Sequence, residues 1–281
     1  MEKLVIVDGS NLLFQMFYGM PARIGNRDGR PIQGTLGFVG ALLRILRMTA
    51  PTHAAVLFDG ECSNPRKTLD EDYKANRPDY SLLPEEETPF SQLPDIFAAL
   101  DCLGIPWAET ADCEADDWIA GYARKYGRES QVVIVSQDSD FFQLITDRVR
   151  VLRYRGEKTV ICDPEYIRAK LGIEPDRYAA YKSLTGDHAD NIRGAEHIGP
   201  KTAAALMNRF ASLEELLAHP EEIARPYIRD AVIRCAPRLR TNYLLIRLTG
   251  AEDLPFAPAE MTYRDTGLAT RQVLTQAGVL P

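Results

Sequence analysis

The 281-residue chain has no apolar run near the roughly 20 residues that a membrane-spanning helix needs, so no transmembrane segment is expected. Its five cysteines, at 62, 102, 113, 162 and 235, are scattered and form no Cys-x-x-Cys pair. That odd, unpatterned set argues against a disulfide framework or a thiolate zinc site and suits a reducing cytoplasm. Histidine is scarce, with four residues, and neither His nor Cys recurs at ligand spacing. No Ser–His or Cys–His arrangement marks a covalent nucleophile. The first apolar run, LVIV, has no small-residue cleavage site after it, so no signal peptide is expected. Long internal repeats and low-complexity tracts are absent. Hydrophobic content of 45% and charged content of 26% are ordinary for a globular protein. The length suits one large α/β domain, alone or with a helical extension.

What the chain does have is carboxylate in particular places. Nine acids fall in five short runs: Asp8 (IVDGSN), Asp59 (VLFDGE), Glu114, Asp116 and Asp117 (CEADDW), Asp138 and Asp140 (SQDSDFFQL), Asp187 and Asp190 (TGDHADNI). Asp8, Asp59 and Asp138 each follow an apolar strand-like run. An Asp after a strand is ordinarily a turn former or a helix cap, and any single run reads that way. Five together point elsewhere, because so many charges share a cleft only when cations hold them. An all-oxygen ligand set favours a hard ion such as Mg²⁺ or Mn²⁺. Two such ions about 4 Å apart are a common device for phosphodiester cleavage.

The net charge of −7 argues at first against a polyanionic partner. Setting the nine clustered acids aside leaves 31 acidic residues against 33 basic ones. A polyanion then becomes compatible with the chain, provided that metal and local basic patches assist.

Strands are predicted at 3–8, 53–58, in IPWAET and at 131–136, with a closing hairpin from 149–154 and 158–163. Helices are expected from Asn11, over 35–49, after a Ser91 cap up to Gly104, and over 114–126. This alternation implies an α/β fold with a mostly parallel central sheet and helices on both faces. Ligand sites in such sheets lie beyond the carboxyl ends of the strands. From Asp163 onward strands are expected to stop and short helices to follow, so the chain divides into a catalytic domain of 1–170 and a helical lobe of 171–281.

Glu114 and Asp117 are spaced to share one face of a helix start, and so are Asp187 and Asp190 if that run is helical. Asp138 and Asp140 share a side only if the backbone stays extended; otherwise one of them caps the next helix. DNIRGAEHIGPKTAA reads as half of a helix–hairpin–helix, with the turn Gly199–Thr202 and Lys201 offered to a phosphate. A Walker A loop is excluded, since Pro200 separates Gly199 from Lys201 and no strand precedes. RKTLDEDYKANRPDY places Arg66, Lys67, Lys74 and Arg77 around Tyr73. That is either a solvated charged helix or a cationic wall with an aromatic for base stacking. His188 and His197 are read as surface residues, and Trp107 and Trp118 as core.

In order, VDGSNLLF, FDGE, YKANR, EADD, SQDSDFFQL, TGDHADNI and IGPKTA resemble the 5′-nuclease family. That family includes the 5′–3′ exonuclease domain of bacterial DNA polymerase I and free-standing bacterial flap endonucleases. The resemblance covers roughly residues 3 to 250 and implies a PIN-like core. It implies one metal cluster of Asp8, Asp59, Glu114 and Asp116, with Asp117 beside it, and a second of Asp138, Asp140, Asp187 and Asp190. Lys74 and Arg77 match its catalytic cations, and Arg66 a further basic position. An arch would occupy about 62–90. The family's hairpin usually reads Gly-Ile-Gly; here His197 replaces the first Gly, which removes positive-φ freedom and bears on a K⁺ site at the hairpin. Arg193 stands where Pro is usual. No polymerase segment follows, so a stand-alone nuclease is expected.

The resemblance thus implies a metal-dependent 5′–3′ exonuclease and flap endonuclease acting on branched DNA in replication and repair. It would be a cytoplasmic, nucleoid-associated monomer, with a polymerase as a candidate partner. Two alternatives stay open: a structure-specific DNA-binding protein with little catalysis, and a PIN-like ribonuclease.

Overall fold

The computed structural model describes residues 2–20, 23–27, 29–60 and 65–281. The first part of the chain runs β1 (Lys3–Asp8), α1 (Gly9–Gly19), α2 (Gln33–Thr49), β2 (His53–Phe58), α3 (Leu93–Leu103), β3 (Trp107–Glu109), α4 (Ala115–Tyr126), β4 (Gln131–Val135), β5 (Val149–Arg153) and β6 (Val160–Cys162). These strands form one sheet in the order β3-β2-β1-β4-β5-β6, parallel except for β6, which pairs antiparallel with β5. The period of two in the apolar runs builds two cores. Leu4 and Ile6 face Ile119, Tyr122 and Ile134, while Val5 and Val7 face Phe38, Leu42, Val56 and Leu100. Strand order reverses between β1 and β4. The crevice of a doubly wound sheet opens at that point, beyond the strand carboxyl ends.

The second part runs α5 (Pro164–Leu171), α6 (Tyr178–Thr185), β7 (Gly186–Asp187), β8 (Ile192–Arg193), α7 (Pro200–Arg209), α8 (Leu213–Ala218), α9 (Pro226–Ile246) and α10 (Thr270–Gln276). Strands therefore do not stop at Asp163. TGDHADNIRG forms an antiparallel ribbon rather than a helical turn. Gly186 has a left-handed φ of 82°, and a Cβ there would lie 2.5 Å from the Gly194 nitrogen. Only bare backbone permits that approach. The Asn242 amide locks the ribbon by donating to the carbonyls of Ser183 (3.0 Å) and Arg193 (2.9 Å).

Two smaller expectations change. α1 begins at Gly9, because the Asp8 carboxylate accepts the Asn11 N–H at 2.9 Å and caps the helix. α3 begins at Leu93; the Ser91 hydroxyl donates to the Thr88 carbonyl in a preceding 3₁₀ turn instead of capping it. Trp107 and Trp118 pack against the two cores as expected, each half-buried, and Trp107 stacks on Phe97 at 3.7 Å between ring centroids. Past residue 250 the chain returns to the sheet, where Val273 and Leu274 of α10 enter the core shared by α2 and α3.

Candidate metal centre

The acids gather where the strand order reverses. Asp8 ends β1, 5% exposed, and its second oxygen accepts the Ser136 hydroxyl at 2.8 Å. Asp59 lies just past β2; its backbone N–H is held by the Ser10 hydroxyl and its carboxylate accepts the Ala115 N–H, both at 2.9 Å. Asp116 and Asp117 sit in the first turn of α4, after Glu114 at its N-cap. Asp138 follows β4, and its carboxylate accepts the Asp140 N–H at 2.8 Å. The ribbon turns Asp187 and Asp190 toward Asp140, so that these three offer oxygens within 4.8 Å of one another.

These carboxylates oppose one another. Burial pushes the Asp8 carboxyl up to about 7, and the charges of Asp59 and Asp138 add to the rise. Burial also raises Asp116, followed by Asp138, Asp8 and Asp59. Asp140 is pushed up to about 7 by burial and by Asp138, with Lys182 opposing. Asp138 thus acts on Asp8, Asp116 and Asp140 alike. It stands between the two groups, where the resemblance had placed it in the second alone. A set of mutually repelling carboxylates, with Asp8, Asp140 and Asp190 buried and no thiolate or imidazole among them, fits a hard divalent cation.

Cations enter from the segment after β2. The Arg66 guanidinium pairs with Glu114 and, at 2.9 Å, with Asp117; the Lys74 ammonium also pairs with Glu114. Glu114 is therefore held by the chain's own cations. Arg77 reaches Asp190 at 2.8 Å. This segment is not the helix that would align Tyr73, Lys74 and Arg77. Over 65–90 it is built of turns and short 3₁₀ pieces, and residues 62–64 of the expected arch lie outside the described residues. It is fastened to the acidic ribbon by backbone bonds. The Lys74 N–H donates to the Asp190 carbonyl at 3.0 Å, and the Asn191 and Asn76 amides donate to the Asp72 and His188 carbonyls, each at 2.8 Å. Lys74 adopts a left-handed φ of 58° to do so.

Tyr73 is 4% exposed, so the base-stacking role read for it does not hold. Its ring lies 4.9 Å from the Lys74 ammonium and shapes that side chain instead. Lys67 is exposed. In the second part of the chain Gly199 and Lys201 are exposed and Thr202 is half-buried at the start of α7. His197 is exposed and keeps a left-handed φ of 62°, with its ring edge-on to Tyr227 at 6.1 Å.

One charged residue of the site was missed. Lys182 of α6 contacts Asp140, and its ammonium is 2.5 Å from Asp187. Its available signal was a lysine inside YAAYKSL, a stretch buried along its whole length.

A doubly wound sheet with a polycarboxylate crevice, bridged by a cationic segment and followed by a helical lobe, defines the class of protein. Residues 3–172 match the family model of the 5′-3′ exonuclease N-terminal resolvase-like domain, and residues 173–267 that of the 5′-3′ exonuclease C-terminal SAM fold. The chain belongs to the 5′-3′ exonuclease family. It is 30% identical over 263 residues to a 5′-3′ exonuclease of Aquifex aeolicus, covering 93% of this chain and 86% of that one. It is 36% identical over 255 residues to DNA polymerase I of Rhizobium leguminosarum, covering 88% of this chain and 24% of the polymerase. The chain thus spans about a quarter of the length of the DNA polymerase I relatives it matches. The fold is shared with a bacteriophage T5 flap endonuclease solved with DNA and metal ions, at a TM-score of 0.72 and 22% identity, over 99% of this chain and 100% of that one. No helix among the described residues is long and apolar enough to cross a membrane.

Proposed function

We propose that the chain is a divalent-metal-dependent 5′–3′ exonuclease and flap endonuclease that hydrolyses phosphodiesters of branched or 5′-ended DNA in replication and repair. The observation that carries this reading is the crowding of raised, buried carboxylates at one crevice, with Asp140, Asp187 and Asp190 converging in a second group beside it. Asp8, Asp59, Asp116 and Asp138 would hold one Mg²⁺ or Mn²⁺, and Asp140, Asp187 and Asp190 a second, with Asp117 and Glu114 supporting the first. Such ions, when bound, lower the pKa of a water and stabilise a leaving 3′ oxygen.

The chain's own residues supply the rest. Lys74, paired to Glu114 beside the first group, and Arg77, paired to Asp190 of the second, turn to the substrate phosphate, where they offset developing negative charge. Arg66, tied to Glu114 and Asp117, fixes the start of α4. Lys67 lines the path of the single strand past the 62–90 segment. Lys201 and the Gly199–Thr202 turn hold the duplex backbone without reading bases. A K⁺ ion at the hairpin belongs to the same reading, since His197 keeps the backbone conformation a glycine would take. The division into a catalytic part of 1–170 and a DNA-holding lobe within 171–281, whose α10 end packs back on the catalytic core, action as a monomer, location at the nucleoid and recruitment by a polymerase complete the proposal.

The test is cleavage of matched 5′-flap duplexes with DNA or RNA flaps in Mg²⁺, Mn²⁺ and chelator. Cleavage of the DNA flap near the junction, in metal only, is expected. Cleavage confined to RNA would replace this reading with a ribonuclease.

A further inference from the structure

All three acids of the Asp140, Asp187 and Asp190 group are already met by cations of the chain. Arg77, whose side chain is 53% exposed, approaches Asp190 from the surface. Lys182 is different. Its side chain is only 10% exposed, it rises from α6 beside the Tyr178 ring, and its ammonium bonds Asp140 while lying 2.5 Å from Asp187. An ion shared by these carboxylates would lie about 2.0–2.6 Å from each oxygen. An ammonium hydrogen-bonded to a carboxylate lies about 2.7–2.9 Å from its oxygen. An ion drawing on Asp140 and Asp187 therefore competes with the ammonium for the same two carboxylates.

We propose that Lys182 is a built-in counter-cation that competes with the divalent ion for the Asp140–Asp187–Asp190 group. It makes that group load after, and more weakly than, the one around Asp8 and Asp116. The inference rests on the metal-dependent reading above and deepens it. At the first group Asp8 and Asp116 are raised by burial and by neighbouring acids, while Arg66 and Lys74 pair with Glu114 and Asp117 rather than with those two. At the second the chain supplies the cation itself. The four-carbon stem of lysine lets its ammonium withdraw without moving the helix. The second group would therefore respond to divalent concentration, filling only when the ion outcompetes Lys182.

The experiment is Mn²⁺ binding to the full chain without DNA, read by electron paramagnetic resonance, for wild type and Lys182→Met. The wild type should show a stronger and a weaker class. In the variant the weaker class should tighten on the order of tenfold, with the stronger unchanged. A weaker class that stays the same, or is lost, overturns the proposal while leaving the metal reading intact. Absence of Mn²⁺ binding by the wild type overturns the metal reading and this inference with it. If Lys182→Met does not fold, nuclear magnetic resonance of ¹³C-lysine-labelled wild type in a Mg²⁺ titration answers instead, with Lys182→Arg used for assignment. The Lys182 signal should move with the second class; a signal that is unmoved, or that follows the first, refutes the competition.

Discussion

Replacing Asp8 by Asn should stabilise the metal-free protein at alkaline pH and have little effect in acid. Asp8 has its carboxyl raised from 3.8 to about 7 by burial and by the charges of Asp59 and Asp138. The folded chain therefore binds more protons than the unfolded chain between those values, and this group lowers stability as pH rises through that window. Below it the group is neutral in both states and imposes no penalty; above it the penalty is complete. At about 1.4 kcal/mol per unit, the three-unit rise is worth on the order of 4 kcal/mol. Asparagine keeps the shape, an acceptor for the Asn11 N–H, and a partner for the Ser136 hydroxyl. Relaxation of the neighbouring acids trims the gain, so Asp8→Asn should exceed wild type by roughly 2–4 kcal/mol at pH 8 in chelator. For a chain of 281 residues that corresponds to roughly 3–7 °C in melting temperature. The assay is thermal unfolding of both proteins in chelator from pH 4 to 8, repeated with Ca²⁺. The curves should meet near pH 4 and separate upward, and the order should reverse in Ca²⁺, because the variant lacks a ligand. A variant less stable than wild type at pH 8 in chelator would refute the picture of an uncompensated carboxylate cluster.

Arg77→Ala should slow flap cleavage on the order of a hundredfold while leaving binding in Ca²⁺ nearly unchanged, as single-turnover kinetics and anisotropy would report. Lys201→Ala should weaken duplex binding for every sequence alike and lower the slope of log affinity against log salt by about one; a sequence-dependent loss would count against a backbone contact. His197→Gly should stabilise the protein by about 0.5–1 kcal/mol in urea unfolding, because a left-handed backbone suits glycine. Gly194→Ala should cost more than about 3 kcal/mol, since the new Cβ would lie 2.4 Å from the Thr185 carbonyl carbon. A near-neutral effect would mean that the Asp187 ribbon is less tightly built than its geometry implies.

The strands and the acids that follow them were legible because both are local signals. LVIV, AAVLF and VVIV are runs of buried-strand composition, and each hands its acid to the crevice at the sheet's carboxyl edge. The ribbon was not legible, because Asp187 and Asp190 stand three apart as on a helix. The feature that decides otherwise is the contact between Gly186 and Gly194, which has no period. Tyr73 was read as a surface aromatic because its neighbours are charged, yet turns rather than helix govern 69–79 and point it inward. Asp138 could not be assigned between two groups from spacing, since its influence on Asp8, Asp116 and Asp140 arises only where the ends of β1 and β4 meet the start of α4. Lys182 was hidden by the habit of reading lysine as solvent-facing. Its burial becomes intelligible only with two carboxylates in place.

The central claim is that the gathered carboxylates make this chain a metal-dependent nuclease. The most direct measurement is cleavage of a 5′-labelled flap duplex in Mg²⁺ by wild type and by Asp116→Ala, with binding of each measured in Ca²⁺. Cleavage near the junction by wild type, lost in the variant while binding persists, is the expected result. Tight flap binding by wild type with no cleavage in Mg²⁺ or Mn²⁺ would contradict the account and make the chain a structure-specific DNA-binding protein.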